Sequence, residues 1–196
     1  GDGGAIYDWY EGGGTRSAYL QHVLTDGTVR FSPALAGNDA TAGLIRVGSA
    51  AVYNAQSQEY FLAFLETNSS TQINDTVRIQ KFDSSGSAQW PAGGATVFPV
   101  TSPIQHSFLR CNAAGDSCIV SWFNAPTTST HTLEAAKPAA DGQSLEWSVS
   151  VASNVTGKGR LSTATSPAGY VLASWNDNAA GDNDVQAQRI NADGTL

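Results

Sequence analysis

Apolar and polar positions follow one another in short runs, and the runs recur as four units. Each unit carries a near-continuous apolar strand closing on an aromatic: AIYDWYE, YFLAFLE, CIVSWFN and YVLASWND. A polar loop follows, then a strand of regular alternation, then a turn ending in glycine. In the second unit Val77, Ile79 and Lys81 share one face and Arg78, Gln80 and Phe82 the other, because successive strand side chains point to opposite sides. Ala18, Leu20 and His22 repeat this arrangement, as do Val185, Ala187 and Arg189. The aromatics Trp9, Phe64, Trp122 and Trp175 stand at steps of 55, 58 and 53 residues. A basic residue (His22, Lys81, Lys137 or Arg189) precedes each turn glycine by five positions. Such self-similarity marks a repeat architecture.

A further strand precedes the apolar one in three units, as LIRVGSAAVYN, HSFLRCN and GRLSTATS, and Phe31, Trp90 and Trp147 follow the turns. Four antiparallel strands per unit without helical periodicity predict an all-β chain. The specific expectation is a β-propeller-type array of about four four-stranded blades. One repeat domain spans 1–196, with units at about 1–37, 38–100, 101–153 and 154–196. The first unit lacks its first strand and the last its fourth. This predicts either part of a larger propeller, with further repeats or subunits at both ends, or a small four-bladed ring. Asp26-Gly27, Ser85-Gly86, Asp141-Gly142 and Asp193-Gly194 read as two-residue hairpin turns. Lys137-Pro138 within the third alternating strand argues for an edge position. The recurring aromatic is expected to pack between blades. The recurring base is expected to lay its stem on apolar surface with its head in water.

The strings GGAIYDWYE, GYVLASWNDN, DVQAQRINADGTL and VRIQKFDSSGSAQW resemble the tandem propeller repeats of large secreted or surface bacterial proteins. The resemblance covers nearly the whole chain and implies a propeller fold and a binding or structural role outside the cell. The third unit departs from it, with Asn124 where the others carry an acid. DSSGSAQW and ADGQSLEW share only part of the sialidase Asp-box, without its Ser-x-Asp-x-Gly-x-Thr-Trp order.

Net charge of −7, from 17 acidic and 10 basic residues, argues against a nucleic-acid partner. No run reaches the roughly 18 apolar residues of a membrane span. Cys111 and Cys118 flank NAAGDS, a spacing that reads as a hairpin disulfide and hence an oxidising compartment. Two buried thiols or half of a metal site are the other readings.

The loops after the apolar strands are polar, and Glu11, Glu66 and Asp177 occupy one repeat position within them. With Asp182 and Asp184 they form the candidate binding face for a protein or glycan ligand, against the plainer reading of a solvated acidic rim. Asp177, Asp182 and Asp184 also offer the hard oxygens that calcium takes, although an Asn/Asp-rich turn needs no metal. Sequons start at Asn68, Asn74 and Asn154, all expected on that face.

For catalysis, His22, His106 and His131 fall at different repeat positions and suggest no nucleophile–base–acid set. Arg46, Arg110 and Arg160 precede the apolar strands and are the candidates for an anion-lined channel. The reading is a non-catalytic extracellular binding or structural module, serving adhesion, surface assembly or glycan contact, with no required cofactor. A sialidase- or glycosidase-like hydrolase is the alternative.

Overall fold

The computed structural model describes residues 3–12, 16–37, 44–68, 76–98, 105–125 and 129–196. Among these are fourteen strands and no helix. Sheet 1 holds β1 (Ala5–Tyr10), β2 (Ala18–Val23) and β3 (Leu35–Ala36). Sheet 2 holds β4 (Leu44–Asn54), β5 (Glu59–Asn68), β6 (Thr76–Phe82) and β7 (Ala95–Phe98). Sheet 3 holds β8 (Gln105–Ala114), β9 (Ser117–Ala125), β10 (His131–Pro138) and β11 (Leu145–Thr156). Sheet 4 holds β12 (Lys158–Thr165), β13 (Val171–Asp177) and β14 (Asp184–Ile190). Each sheet is an antiparallel meander in chain order. Strands thus number three, four, four and three, as the repeat predicts.

Burial follows the neighbours each sheet has. Tyr60–Leu65 of β5 and Ser117–Phe123 of β9 are buried without interruption, because sheets 2 and 3 are covered on both faces. β13 instead alternates, with Val171, Ala173 and Trp175 buried and Leu172 exposed. Three core clusters fill the three gaps between successive sheets. The first joins Ala18, Leu20 and Phe31 to Tyr60, Leu62 and Phe64. The second sets Phe61, Ala63, Val77 and Ile79 against Cys118, Val120 and Trp122. The third sets Ile119, Phe123 and Leu133 against Val171, Ala173 and Trp175. Each large apolar side chain fully buried there contributes roughly 1.5–3 kcal/mol. The first strand of each sheet also lies against that of the next: β1 on β4, β4 on β8, β8 on β12.

β4, β8 and β12 share one irregularity. The pairs Val47↔Leu65 and Ala50↔Ala63 leave two β4 residues facing Phe64 alone. Ser107↔Phe123 with Arg110↔Ser121, and Gly159↔Asn176 with Ser162↔Ser174, do the same opposite Trp122 and Trp175. The first residue of each bulge is left-handed: Gly48 at φ 59°, Phe108 at 53°, Arg160 at 54°. A bulge of this kind bends its strand and increases local twist.

The turns after β2, β6 and β14 are longer than the two residues expected. Leu24 and Thr28, Asp83 and Ser87, and Asn191 and Thr195 are bonded across three-residue loops that end on left-handed Gly27, Gly86 and Gly194. The loop closed by Ala139 and Ser144 is one residue longer. An aspartate favours this form: Asp26 Oδ1 accepts from both the backbone N–H and the hydroxyl of Thr28.

These turns also join the sheets. Gly142 of sheet 3 lies flat on Trp90 of sheet 2, and a Cβ there would stand 2.3 Å from the indole Cγ. Trp90 Nε1 donates to Ala140 O at 3.0 Å. Gly194 sits likewise on Trp147, whose Nε1 donates to Ala192 O at 2.9 Å, and Gly86 sits on Phe31. One aromatic-to-glycine contact therefore recurs at all three interfaces.

Two expectations are corrected. β10 is an interior strand between β9 and β11, not an edge; Pro138 is its last residue, at a register shift, where its missing N–H is tolerated. Asn154 lies within β11 rather than in a loop, while Asn68 ends β5 and Asn74 falls outside the described residues.

Candidate functional site

Two positions before each bulge residue stands a base: Arg46, His106 and Lys158. Directly opposite, on β5, β9 and β13, stand Glu66, Asn124 and Asp177. The position singled out by the recurring acid is thus one half of a cross-strand pair.

In sheet 2, Arg46 is wholly buried and its Nη2 lies 2.9 Å from Glu66 Oε2. Arg78 reaches the other carboxylate oxygen at 3.3 Å and donates through Nε to Gly93 O at 2.7 Å. In sheet 4, Lys158 Nζ lies 3.1 Å from Asp177 Oδ2, with both side chains buried, and also donates to Asn154 O at 2.7 Å. Burial alone would raise the Asp177 carboxyl. Bonds from Thr156, Lys158 and Trp175 outweigh it and hold the group below the usual aspartate range. In sheet 3 the acid becomes Asn124 and the base becomes His106, whose ring meets Phe98 and Trp122. Acid and base change together: opposite the uncharged Asn124 stands a histidine rather than a lysine or arginine. Such pairs add little net stability when intact, because desolvation offsets attraction, but cost much when one partner is lost.

Glu66 and Asp177 are accordingly held inside sheets 2 and 4, not on a loop face. Glu11 and Asp182 are exposed in connections equivalent along the repeat, and Asp184 is exposed as the first residue of β14, opposite Asp177. The calcium set does not assemble. Asp177 is committed to Lys158 and Thr156, and no three His, Cys, Asp or Glu side chains among the described residues form a metal-binding group.

The three arginines also part company. Arg46 precedes its bulge and is spent on Glu66; Arg110 follows its bulge and donates to Leu109 O at 2.8 Å; Arg160 is the bulge residue itself and exposed. They hold three different repeat positions. The base before each turn is paired rather than merely solvated. His22 Nδ1 meets Tyr60 Oη at 2.7 Å, Lys81 meets Glu59 at 3.2 Å, Lys137 meets Glu146 at 2.7 Å, and Arg189 lies 4.1 Å over Tyr170. His131 stands beside Lys158, and burial, with that cation, lowers its pKa.

The cysteines are free thiols, which corrects the disulfide expectation. The β8–β9 hairpin turns on Gly115 and Asp116, so Cys118 faces Ala113 and Cys111 faces Val120. The two are diagonal neighbours, typically 7–8 Å apart and beyond normal disulfide reach, not a facing pair. Burial pushes the Cys118 thiol well above its ordinary pKa, and the hydrogen bond with Cys111 adds to this. A raised pKa means less thiolate at pH 8 and a slower nucleophile. Iodoacetamide should label native protein at least about tenfold more slowly than a free thiol, and denatured protein should take two labels. A mass two hydrogens lighter, with no labelling even after denaturation, would contradict the thiol assignment.

The base–acid pairs were missed in the sequence because their halves stand 20, 18 and 19 residues apart on different strands. That near-constant spacing is the signal that could have revealed them. Comparison with models of known families and with curated proteins finds no match.

Proposed function

We propose that the chain is a propeller-type array of four blades acting as a non-catalytic binding or structural module outside the cell. Support for the propeller comes from the succession of first strands, β1 on β4 on β8 on β12, and from three equivalent face-to-face cores. Support for a binding rather than catalytic role rests on one observation: the repeat's charged positions are largely consumed by the fold. Arg46, Glu66, Lys158 and Asp177 neutralise one another, and the bases before the turns have partners. The acids left open lie in or beside the polar connections, Glu11 after β1, Asp182 between β13 and β14, and Asp184 as the first residue of β14. Loops on a rigid sheet scaffold are where recognition usually resides. The ligand class that suits such a surface is a polar, uncharged or cationic one, such as a neutral glycan or a basic protein segment.

A glycan array probed with the chain and with the D182N/D184N variant is the test. Binding that the double substitution weakens tenfold or more supports the module. Turnover of chromogenic glycosides or sialosides, abolished by Arg110→Ala or Arg160→Ala, would replace it with a hydrolase.

A further inference from the structure

The gap between sheets 2 and 3 ends, among the short turns, in a cavity of about 230 Å³. Its walls come from the β4–β5, β6–β7, β8–β9 and β10–β11 connections and the strand ends beside them. Connections alternate between the two ends of an antiparallel meander, so this rim is opposite to the one that bears Glu11 and Asp182. A ligand here would be a second site, beyond the loop face.

The walls are tied from sheet to sheet. The buried Asn54 donates through Nδ2 to Gly115 O at 2.9 Å and Ser117 O at 2.7 Å, and its Oδ1 accepts from the N–H groups of Gln56 and Ser57. Trp90, which lines the cavity, holds Ala140 O across the same gap. A site fixed in advance loses little freedom when it takes a ligand. Its polar groups are of both kinds. Lys81 Nζ meets Glu59 Oε1 at 3.2 Å and lies 5.6 Å from the centre of the Trp90 ring. Glu146 is held by Lys137 at 2.7 Å, and Asp116 is exposed on the β8–β9 turn. Ser57, also in the lining, has its Oγ buried without a hydrogen-bond partner. Buried polar atoms are nearly always satisfied, so one left over at a cavity wall points to a partner that the chain does not supply.

The repeat does not ask for these acids. The position of Glu59 holds Gly4, Ser117 and Tyr170 in the other units, that of Glu146 holds Arg30 and Gln89, and that of Asp116 holds Gln58 and Gly169. The cavity at the equivalent place between sheets 1 and 2 has no acid among its described lining residues. Nor do the carboxylates converge on a cation, since no three His, Cys, Asp or Glu side chains among the described residues form a metal-binding group. Glu59 and Glu146 are each matched by a lysine, so the charge is nearly balanced. A carboxylate has about four acceptor sites and an ammonium three donors, more than one ion pair uses. The volume lies below the roughly 300–1,000 Å³ of drug-sized pockets, which suits one small molecule. We infer that the cavity binds a single neutral, hydroxyl-rich unit, a pyranose. Glu59, Asp116 and Glu146 accept from its hydroxyls, and Lys81 donates to one of them.

Amide proton–nitrogen correlation spectra of the labelled chain, titrated with the methyl pyranosides of glucose, galactose, mannose and N-acetylglucosamine, are the test. At least one sugar should shift the amides of Ser57, Glu59, Asp116 and Ser117 with saturable, millimolar affinity. The D116N/E146Q variant changes two exposed side chains outside the core, so it should keep the spectral dispersion. It should weaken binding about tenfold or more, because hydrogen bonds to charged groups are the stronger ones. No saturable shift with any of these sugars overturns the inference, as does binding that the double substitution leaves intact. Shifts centred on Asp182 and Asp184 instead would overturn it while supporting the loop-face reading. Cavity amides that move with methylammonium chloride and with no pyranoside would make this a cation site, and the neutral-ligand inference would fall.

Discussion

Glu66→Gln is expected to lower the thermal midpoint by roughly 6–20 °C. The carboxylate stands between Arg46, which is wholly buried, and Arg78. Two further nitrogens of Arg46, Nε and Nη1, are buried without a hydrogen-bond partner, so the guanidinium depends heavily on Glu66. Removing one member of a buried pair costs about 3–5 kcal/mol, because the other charge stays desolvated and uncompensated. At about 2–4 °C per kcal/mol for a chain of this size, that gives the stated shift. Glu11→Gln is the control. It changes the same repeat position in sheet 1, where the side chain is exposed, and should move stability by no more than about 0.5 kcal/mol. Calorimetric melts of the two variants decide the matter. Equal small shifts would mean that the Arg46 charge is relieved some other way.

Gly142→Val should destabilise by about 2–5 kcal/mol, where Gly27→Val costs only about 1–2 kcal/mol. Both glycines are left-handed, at φ 67° and 84°, so both variants bear the conformational penalty of an L side chain there. Only Gly142 has an indole against it, 2.3 Å from the position of a Cβ. Trp90 is 5% exposed and hydrogen-bonded to Ala140, so it cannot swing clear without losing that bond and opening the core. Overpacking a filled site adds about 1–3 kcal/mol. Denaturant melts followed by indole emission measure both variants. Indistinguishable losses would show that the Trp90 contact does not hold sheets 2 and 3 together.

What was legible in the sequence is whatever lies along one strand. The alternation at Val77, Ile79 and Lys81 and the glycine closing each turn placed the strands and gave their number per sheet. What was not legible is register between strands, because turn length and bulges set it. Gly115-Asp116 turns the hairpin so that Cys118 faces Ala113 and misses Cys111 by two positions. The extra residue at Gly48, Phe108 and Arg160 shifts each first strand by one against its neighbour, and a one-residue slip moves side chains to the other face. Counting along the chain, Arg46, Arg110 and Arg160 looked like one series. Across the sheet, the series is Arg46, His106 and Lys158. The acid at Glu66 and Asp177 recurs along the chain, but its reason for recurring sits on the preceding strand, which holds it inside the sheet rather than on a loop face. Pro138 is a similar case: its sequence neighbours cannot show that the register shift needed to tolerate it falls on that residue.

The core is divided into three clusters, one per gap, rather than gathered into one. Stability in such a stack is a sum over neighbours, as in other repeat architectures. Sheets 2 and 3 are each anchored by two gaps, sheets 1 and 4 by one. Amide protons should therefore exchange through different openings along the chain. Those of β1 and β14 escape when a single terminal sheet peels away, at a fraction of the global unfolding free energy. Those of β5 and β9 wait for the stack to come apart on both sides.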